Sequence, residues 1–299
     1  FRRVLFRSLM NSIRNRIQNQ VFRVNGLALN EFDISQPPGD PGLFGPDSVI
    51  WRVHGDFPAM LCGGISALLL QMLHPSALAG VWDHSNFRQD MMGRLRRTSQ
   101  FIAVTTFGNR HDASLLIERI KNIHLRVSGV DNYGQPYAAS DPHLLTWVHV
   151  AETSAFLAAH LRFKNPQLSL AEQDRYYQEA ALIAEALGAA GVPKSVEAVG
   201  RYLQDMRGEL RYDARTAEVT RLLREAPAPG WQAKPAMKVM LNSGMALLPD
   251  WAQQMSGYRF SPLSRALLDA EMRLLAKTLR WSITRGAYHR AMLRMGRQP

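Results

Sequence analysis

Residues 141–163, DPHLLTWVHVAETSAFLAAHLRF, decide how the chain folds. Asp141 is an N-cap residue type, and Pro142 suits the first helical position, where a missing N–H costs nothing. The apolar residues that follow lack the strict alternation of a half-buried strand, and Asn165-Pro166 ends the run. The stretch therefore predicts one long helix from Asp141 to about Phe163. Working outward, the same signals recur. Residues 60–73 read as an apolar helix that His74-Pro75 interrupts, followed by a loop over 79–90 and an Arg-rich helix over 91–107. Asp112 is a candidate cap for a helix running to about Ser128 and stopping at Gly129, after which DNYGQPYAAS reads as a turn-rich loop. Further helices are expected at about 170–188, 194–209, 213–225, 233–247, 262–280 and 281–295. Strand-like alternation is scarce, and no internal repeat appears. The fold expected is all-α, a single large helical domain.

The chain divides into four parts on composition. Residues 1–9 read as a non-native leader, with Met10 as the natural start. Residues 10–46 hold a basic amphipathic helix and a Pro/Gly-rich loop, QPPGDPGLFGP; 47–290 form the helical domain, and 291–299 a basic tail. The 299 residues carry 36 Lys+Arg against 25 Asp+Glu, a net charge of +11 concentrated at the two ends. That excess suits an anionic partner and suggests peripheral contact of the termini with the inner membrane. No run of about 18 apolar residues exists, because Gln71, His74 and Pro75 break the longest candidate. With no recognisable signal peptide visible, the expected location is the cytoplasm.

A single cysteine, Cys62, rules out an internal disulfide framework and any Cys-rich zinc or iron–sulfur site. A metal would have to be held by the nine histidines and the carboxylates. The chain has no Gly-rich phosphate loop, no Gly-x-Ser-x-Gly elbow, no His-Glu-x-x-His and no nucleic-acid module, so nucleotide, esterase, zinc-peptidase and nucleic-acid readings lose ground.

His124 lies on an apolar stripe with Leu116, Ile117, Ile120, Ile123 and Val127 at helical spacing. A histidine on a buried face needs a hydrogen-bond or metal partner, so it is either a satisfied core residue or a ligand. His149, with Glu152 and Thr153 one turn on, offers the same two readings; His143 and His160 read as exposed or helix-end residues. Arg94, Arg97 and Thr98 share one helix face, which is either a solvated basic surface or a site for carboxylates or a bound oxygen species. Asp56, His74 and His84 cluster near bends, as a polar network or as a His/carboxylate site for non-haem iron.

The order of HGDFPAMLCGGISALLLQMLHPSALAGVWDHSNFRQD, GRLRRT, IHLRVSG and YAASDPHLLTWVH resembles the family of MpaB-like oxygenases and latex-clearing protein (rubber oxygenase) catalytic domains, from about residue 49 to about 286. The resemblance implies a globin-like core binding haem b through one axial histidine, and an oxygenase acting with dioxygen on an apolar, isoprenoid-type substrate. Arg94 and Thr98 match the family's Arg-x-x-x-Thr segment, which makes His124 the implied axial ligand and His149 its alternative. Arg97 stands where some members have a distal lysine. It is suited to hydrogen-bonding bound oxygen or a propionate, and with Thr98 makes the implied catalytic pair. The family's distal glutamate has no counterpart. Two rivals stand beside this: a haem-binding sensor or carrier without turnover, and a non-haem iron enzyme using His74, His84 and Asp56.

Overall fold

The computed structural model describes residues 10–12, 14–19, 31–227 and 230–298. The leader expected at 1–9 lies outside them; within 10–46, residues 10–12 and 14–19 are helical. From Val49 onward the chain is a succession of helices: α1 (Val49–His54), α2 (Phe57–Gln71), α3 (Pro75–His84), α4 (Met91–Phe107) and α5 (Arg110–His124). A short antiparallel hairpin follows, β1 (Ser128–Val130) with β2 (Pro136–Ala138), in which Gly129 pairs with Tyr137. Then come α6 (Pro142–Phe163), α7 (Leu170–Leu187), α8 (Val196–Asp205), α9 (Ala214–Glu225), α10 (Lys234–Leu247), α11 (Asp250–Met255), α12 (Pro262–Ser282) and α13 (Ala287–Arg294). The result is one large all-α domain.

Its axis is α6 packed along α2, the most extensive helix–helix contact. Small residues make the approach possible. A Cβ on Gly63 of α2 would lie 3.0 Å from the Ala155 carbonyl and from the Phe156 ring, and Ala151, Ala155 and Ala159 of α6 are buried. On the other side of α2, a Cβ on Gly244 of α10 would meet Ile65 at 2.6 Å. The core around this axis gathers Leu69, Leu70, Leu73, Phe87, Trp147 and Met245.

Capping explains the boundaries. The Asp141 carboxylate accepts from the His143 N–H at 2.8 Å, as its sequence position predicts. The cap of α5 is Asn109, whose side chain accepts from the Asp112 N–H at 2.8 Å, so Asp112 is three residues inside the helix it was expected to cap. Residues 75–84 are helical, including 79–84 of the expected loop, since Pro75 starts α3 with φ already set. The 79–90 loop shrinks to a short turn, and the expected 281–295 helix begins only at Ala287.

No single described helix is long and apolar enough to cross a membrane. Helices α2 and α3 pass that test only together and are bent by 104° to one another.

The chain's two ends close on each other. Asp56, the N-cap of α2, receives Arg280 of α12 through two hydrogen bonds of 2.7 and 2.9 Å, and Arg280 also donates to the Phe163 carbonyl at 2.7 Å. Gln18 accepts from the Thr284 N–H at 2.9 Å.

Candidate metal centre

Three side chains from distant segments converge where α2 gives way to α3. His74 occupies the bend and is the N-cap residue of α3, held there by Pro75 on one side and by the Trp147 indole, which donates to the Gln71 carbonyl at 3.1 Å, on the other. His143 sits in the first turn of α6, one residue past the proline. Glu209 ends the short 3₁₀ turn Met206–Gly208, and the Arg211 N–H donates to the Leu73 carbonyl at 2.7 Å, pinning that turn to the bend.

The Glu209 Oε2 oxygen lies 2.9 Å from His143 Nε2 and 3.3 Å from His74 Nε2. One ligand atom from each residue lies within 4.8 Å of the other two. Two ligands each about 2.1 Å from a metal and at right angles would be about 3.0 Å apart, so the spacing suits adjacent positions of one coordination sphere. His74 is buried, whereas the side chains of Glu209 and His143 are about half exposed, at 48% and 49%. The group is therefore anchored from inside and open on its outer side. His74 Nδ1 is buried without a partner, as in an imidazole whose remaining partner the protein does not supply.

Electrostatics favour the deprotonated forms a metal needs. Burial lowers the His74 pKa, against the opposing pull of Glu209. Burial works to raise that of Glu209, but hydrogen bonds from His143 and His74 outweigh it and hold the carboxyl below its usual value. Asp131 adds negative charge facing His74 and is itself fixed by the Ser76 hydroxyl at 2.9 Å.

A separate cavity of about 1400 Å³ is enclosed by α2, α4, α10 and α12, with Leu61, Ile65, Leu95, Ile102, Met240 and Leu275 on its walls. At one wall is His54, whose ring nitrogens meet Thr106 Oγ1 at 2.9 Å and the Tyr176 hydroxyl at 3.0 Å. Burial first, then His160 and His149, push its pKa down to about 3. The triad and the cavity share no lining residue.

The residues singled out from sequence are dispersed. Thr98 lines the cavity. Arg97 is exposed and donates to Asn86 Oδ1 at 3.3 Å. Arg94 lies against the Phe87 ring at 6.0 Å, with Nη1 buried and unpartnered; burial, then Arg97, lower its pKa to about 10. His124 is the last residue of α5, half-buried, with an unpartnered buried Nδ1 and a pKa lowered by burial. His149, on α6, has a pKa lowered to about 4 by burial, and one turn on Glu152 is raised by burial to about 7. The Thr153 hydroxyl donates to the His149 carbonyl, not to its ring. His160 lies in the last turn of α6, as the helix-end reading has it, but is buried at 3% exposure.

The haem b expectation is corrected by this arrangement, and with it the haem-dependent oxygenase and the haem sensor or carrier. The donors that converge among the described residues are His74, His143 and Glu209, a two-histidine, one-carboxylate set of the non-haem iron type. His124 is not among the residues lining the cavity that Thr98 faces. The non-haem alternative fits this donor set better than haem does, and it shares one residue with the set. His74 belongs to the triad, but Asp56 is bound to Arg280, and His84 Nε2 meets the Ser128 carbonyl at 3.1 Å. Glu209 and His143 were missed. The one usable signal for His143 was its place beside the Asp-Pro cap, which fixes it at a helix start.

No curated protein and no solved structure matches the chain significantly. Residues 51–281 match the catalytic domain of the ER-bound oxygenase mpaB/B′ and rubber oxygenase, most of the chain's length, and the chain belongs to that family.

Proposed function

We propose that the protein is a non-haem, metal-dependent oxygenase that acts with dioxygen on an apolar, unsaturated isoprenoid-type substrate. The observation that carries this reading is the convergence of His74, His143 and Glu209 with an open outer side. The family supports the oxygenase class, and the 1400 Å³ apolar cavity supports the substrate class.

When bound, ferrous iron at the triad supplies dioxygen activation. The chain's own residues do the rest. His74, rigid at the α2–α3 bend, sets the position of the inner ligand. Glu209 brings the negative charge that balances a divalent cation. His143 and Glu209 leave the outer side free for small molecules. Helix α2 links the two places, lining the cavity with Leu61 and Ile65 and ending beside His74.

A second reading rests on Glu209 bonding both imidazoles directly. In it the three side chains form a metal-free clasp that holds the 206–211 turn against the bend. Reconstitution of the full chain with Fe(II) under anaerobic conditions, followed by metal analysis and oxygen uptake with an unsaturated isoprenoid, separates the two. Near-stoichiometric iron that falls about 100-fold or more in affinity in His74→Ala and Glu209→Ala supports the oxygenase. A folded protein that takes up no metal supports the clasp. A stoichiometric porphyrin absorption band that survives His74→Ala overturns the non-haem reading.

A further inference from the structure

Helix α12 has two apolar faces where a surface helix needs one. Its inner face buries Leu268, Met272, Ala276 and Leu279. On the outer face Leu263, Leu267 and Leu274 are 71%, 58% and 69% exposed, with exposed Ala270 between them, a stripe at helical spacing. Helix α10 lies alongside. Arg265 at the start of α12 donates to the Ala246 carbonyl near the end of α10, and Val239 and Met240 share a cluster with Leu275. Trp231, just before α10, is 78% exposed, the most exposed of the large apolar residues among the described ones.

The rim of this face is basic. Lys234 and Lys238 on α10 and Arg273 and Lys277 on α12 are exposed. On α10 and α12 themselves the exposed acid is Glu271, because Asp269 is held by Arg162 at 2.9 Å, and Glu225 in the cavity lining is paired with Arg221. The region 226–299 as a whole has eleven Lys and Arg and three Asp and Glu. The same rim borders the large cavity, whose lining includes Lys234, Lys238, Leu275 and Thr278. A ligand entering past these side chains would cross the apolar, basic face first.

We infer that the α10–α12 face docks on the surface of an anionic lipid bilayer, with Trp231, Leu263, Leu267 and Leu274 among the acyl chains and Lys234, Lys238, Arg273 and Lys277 against the headgroups. Charge decides between occupants. A second copy of this face would set one basic rim against another, whereas an anionic bilayer matches both the apolar stripe and its rim. Docking places the cavity entrance at the membrane, where apolar ligands are concentrated. The assignment uses no residue of the triad and stands or falls apart from the metal reading.

Flotation of the full chain with phosphatidylcholine vesicles, with and without phosphatidylglycerol, tests it. Binding is expected to vesicles that contain phosphatidylglycerol and to weaken about tenfold in Leu267→Ser/Leu274→Ser and in Lys234→Glu/Lys238→Glu. A blue shift of tryptophan fluorescence on binding is expected to shrink in Trp231→Phe. All these side chains are exposed, so circular dichroism should show unchanged folding. Vesicle binding that both double variants retain overturns the assignment. So does a failure to bind anionic vesicles, and a dimer that Leu267→Ser/Leu274→Ser dissociates would then make the face a self-interface.

Discussion

His74 has little freedom: its backbone is fixed at a helix junction, its ring is buried, and its one hydrogen-bonding partner is Glu209. Both groups have depressed pKa values, and the sign of the linkage follows. The unfolded chain binds protons that the native chain refuses, so their contribution is present above the unfolded values and lost as pH falls through the folded ones. The metal-free protein is expected to lose thermal stability below about pH 6.5, as His74 begins to charge in the unfolded chain together with His54, His124 and His149, whose pKa values burial also lowers, and again near about pH 4 through Glu209. His74→Gln should reduce the first step by the share that His74 contributes, measurable as Tm against pH. Glu152 behaves oppositely. Its pKa is raised to about 7, so the native state binds the extra proton, and stability is lost as pH climbs from the unfolded value through 7. Glu152→Gln should therefore gain Tm relative to the parent as pH rises from 5 to 8, with about no difference at pH 4. An unchanged difference across that range would show that Glu152 ionises freely.

At the scale of elements, packing along α2 depends on two glycines that a side chain cannot replace. Gly244→Ala would drive a methyl into Ile65 and the Cys62 carbonyl, and a cost of about 1–3 kcal/mol is expected in denaturant unfolding. Asp56→Ala removes the N-cap of α2 and leaves Arg280 without its counter-charge, at a cost of about 3 kcal/mol or more. These elements also show what a linear reading reaches. Asp141-Pro142, Asn165-Pro166 and the long apolar stretches fixed α6 and most helix bounds, because caps and periodicity act within a few residues. The start of α3 was equally local, yet its proline was read as a stop when it is a start. The triad is not local at all: Glu209 is 66 residues from His143 and 135 from His74. Exposed Glu209 has no periodic or motif context, and only the fold brings it to the bend.

For the whole molecule, the proposed substrate class and docking face together make the cavity a path for apolar ligands from surface to interior. Gly64 borders that path, and a Cβ there would lie 3.8 Å from the Phe156 ring, so there is room for a side chain. Gly64→Leu is expected to fold normally yet to bind pyrene about tenfold more weakly than the parent, read from fluorescence titration. Equal affinities would place the pyrene elsewhere.

The pairing of Asp56 with Arg280 spans 224 residues, and Gln18 with Thr284 spans 266. A chain emerging from the ribosome thus builds α2 and α6 early while the carboxylate at the head of α2 still lacks its counter-charge. Only after α12 is synthesised can that charge be neutralised and the core sealed. Products truncated before Arg280 would therefore remain open at the centre of the domain, not merely shorter at one edge, and would be substrates for chaperones and proteases.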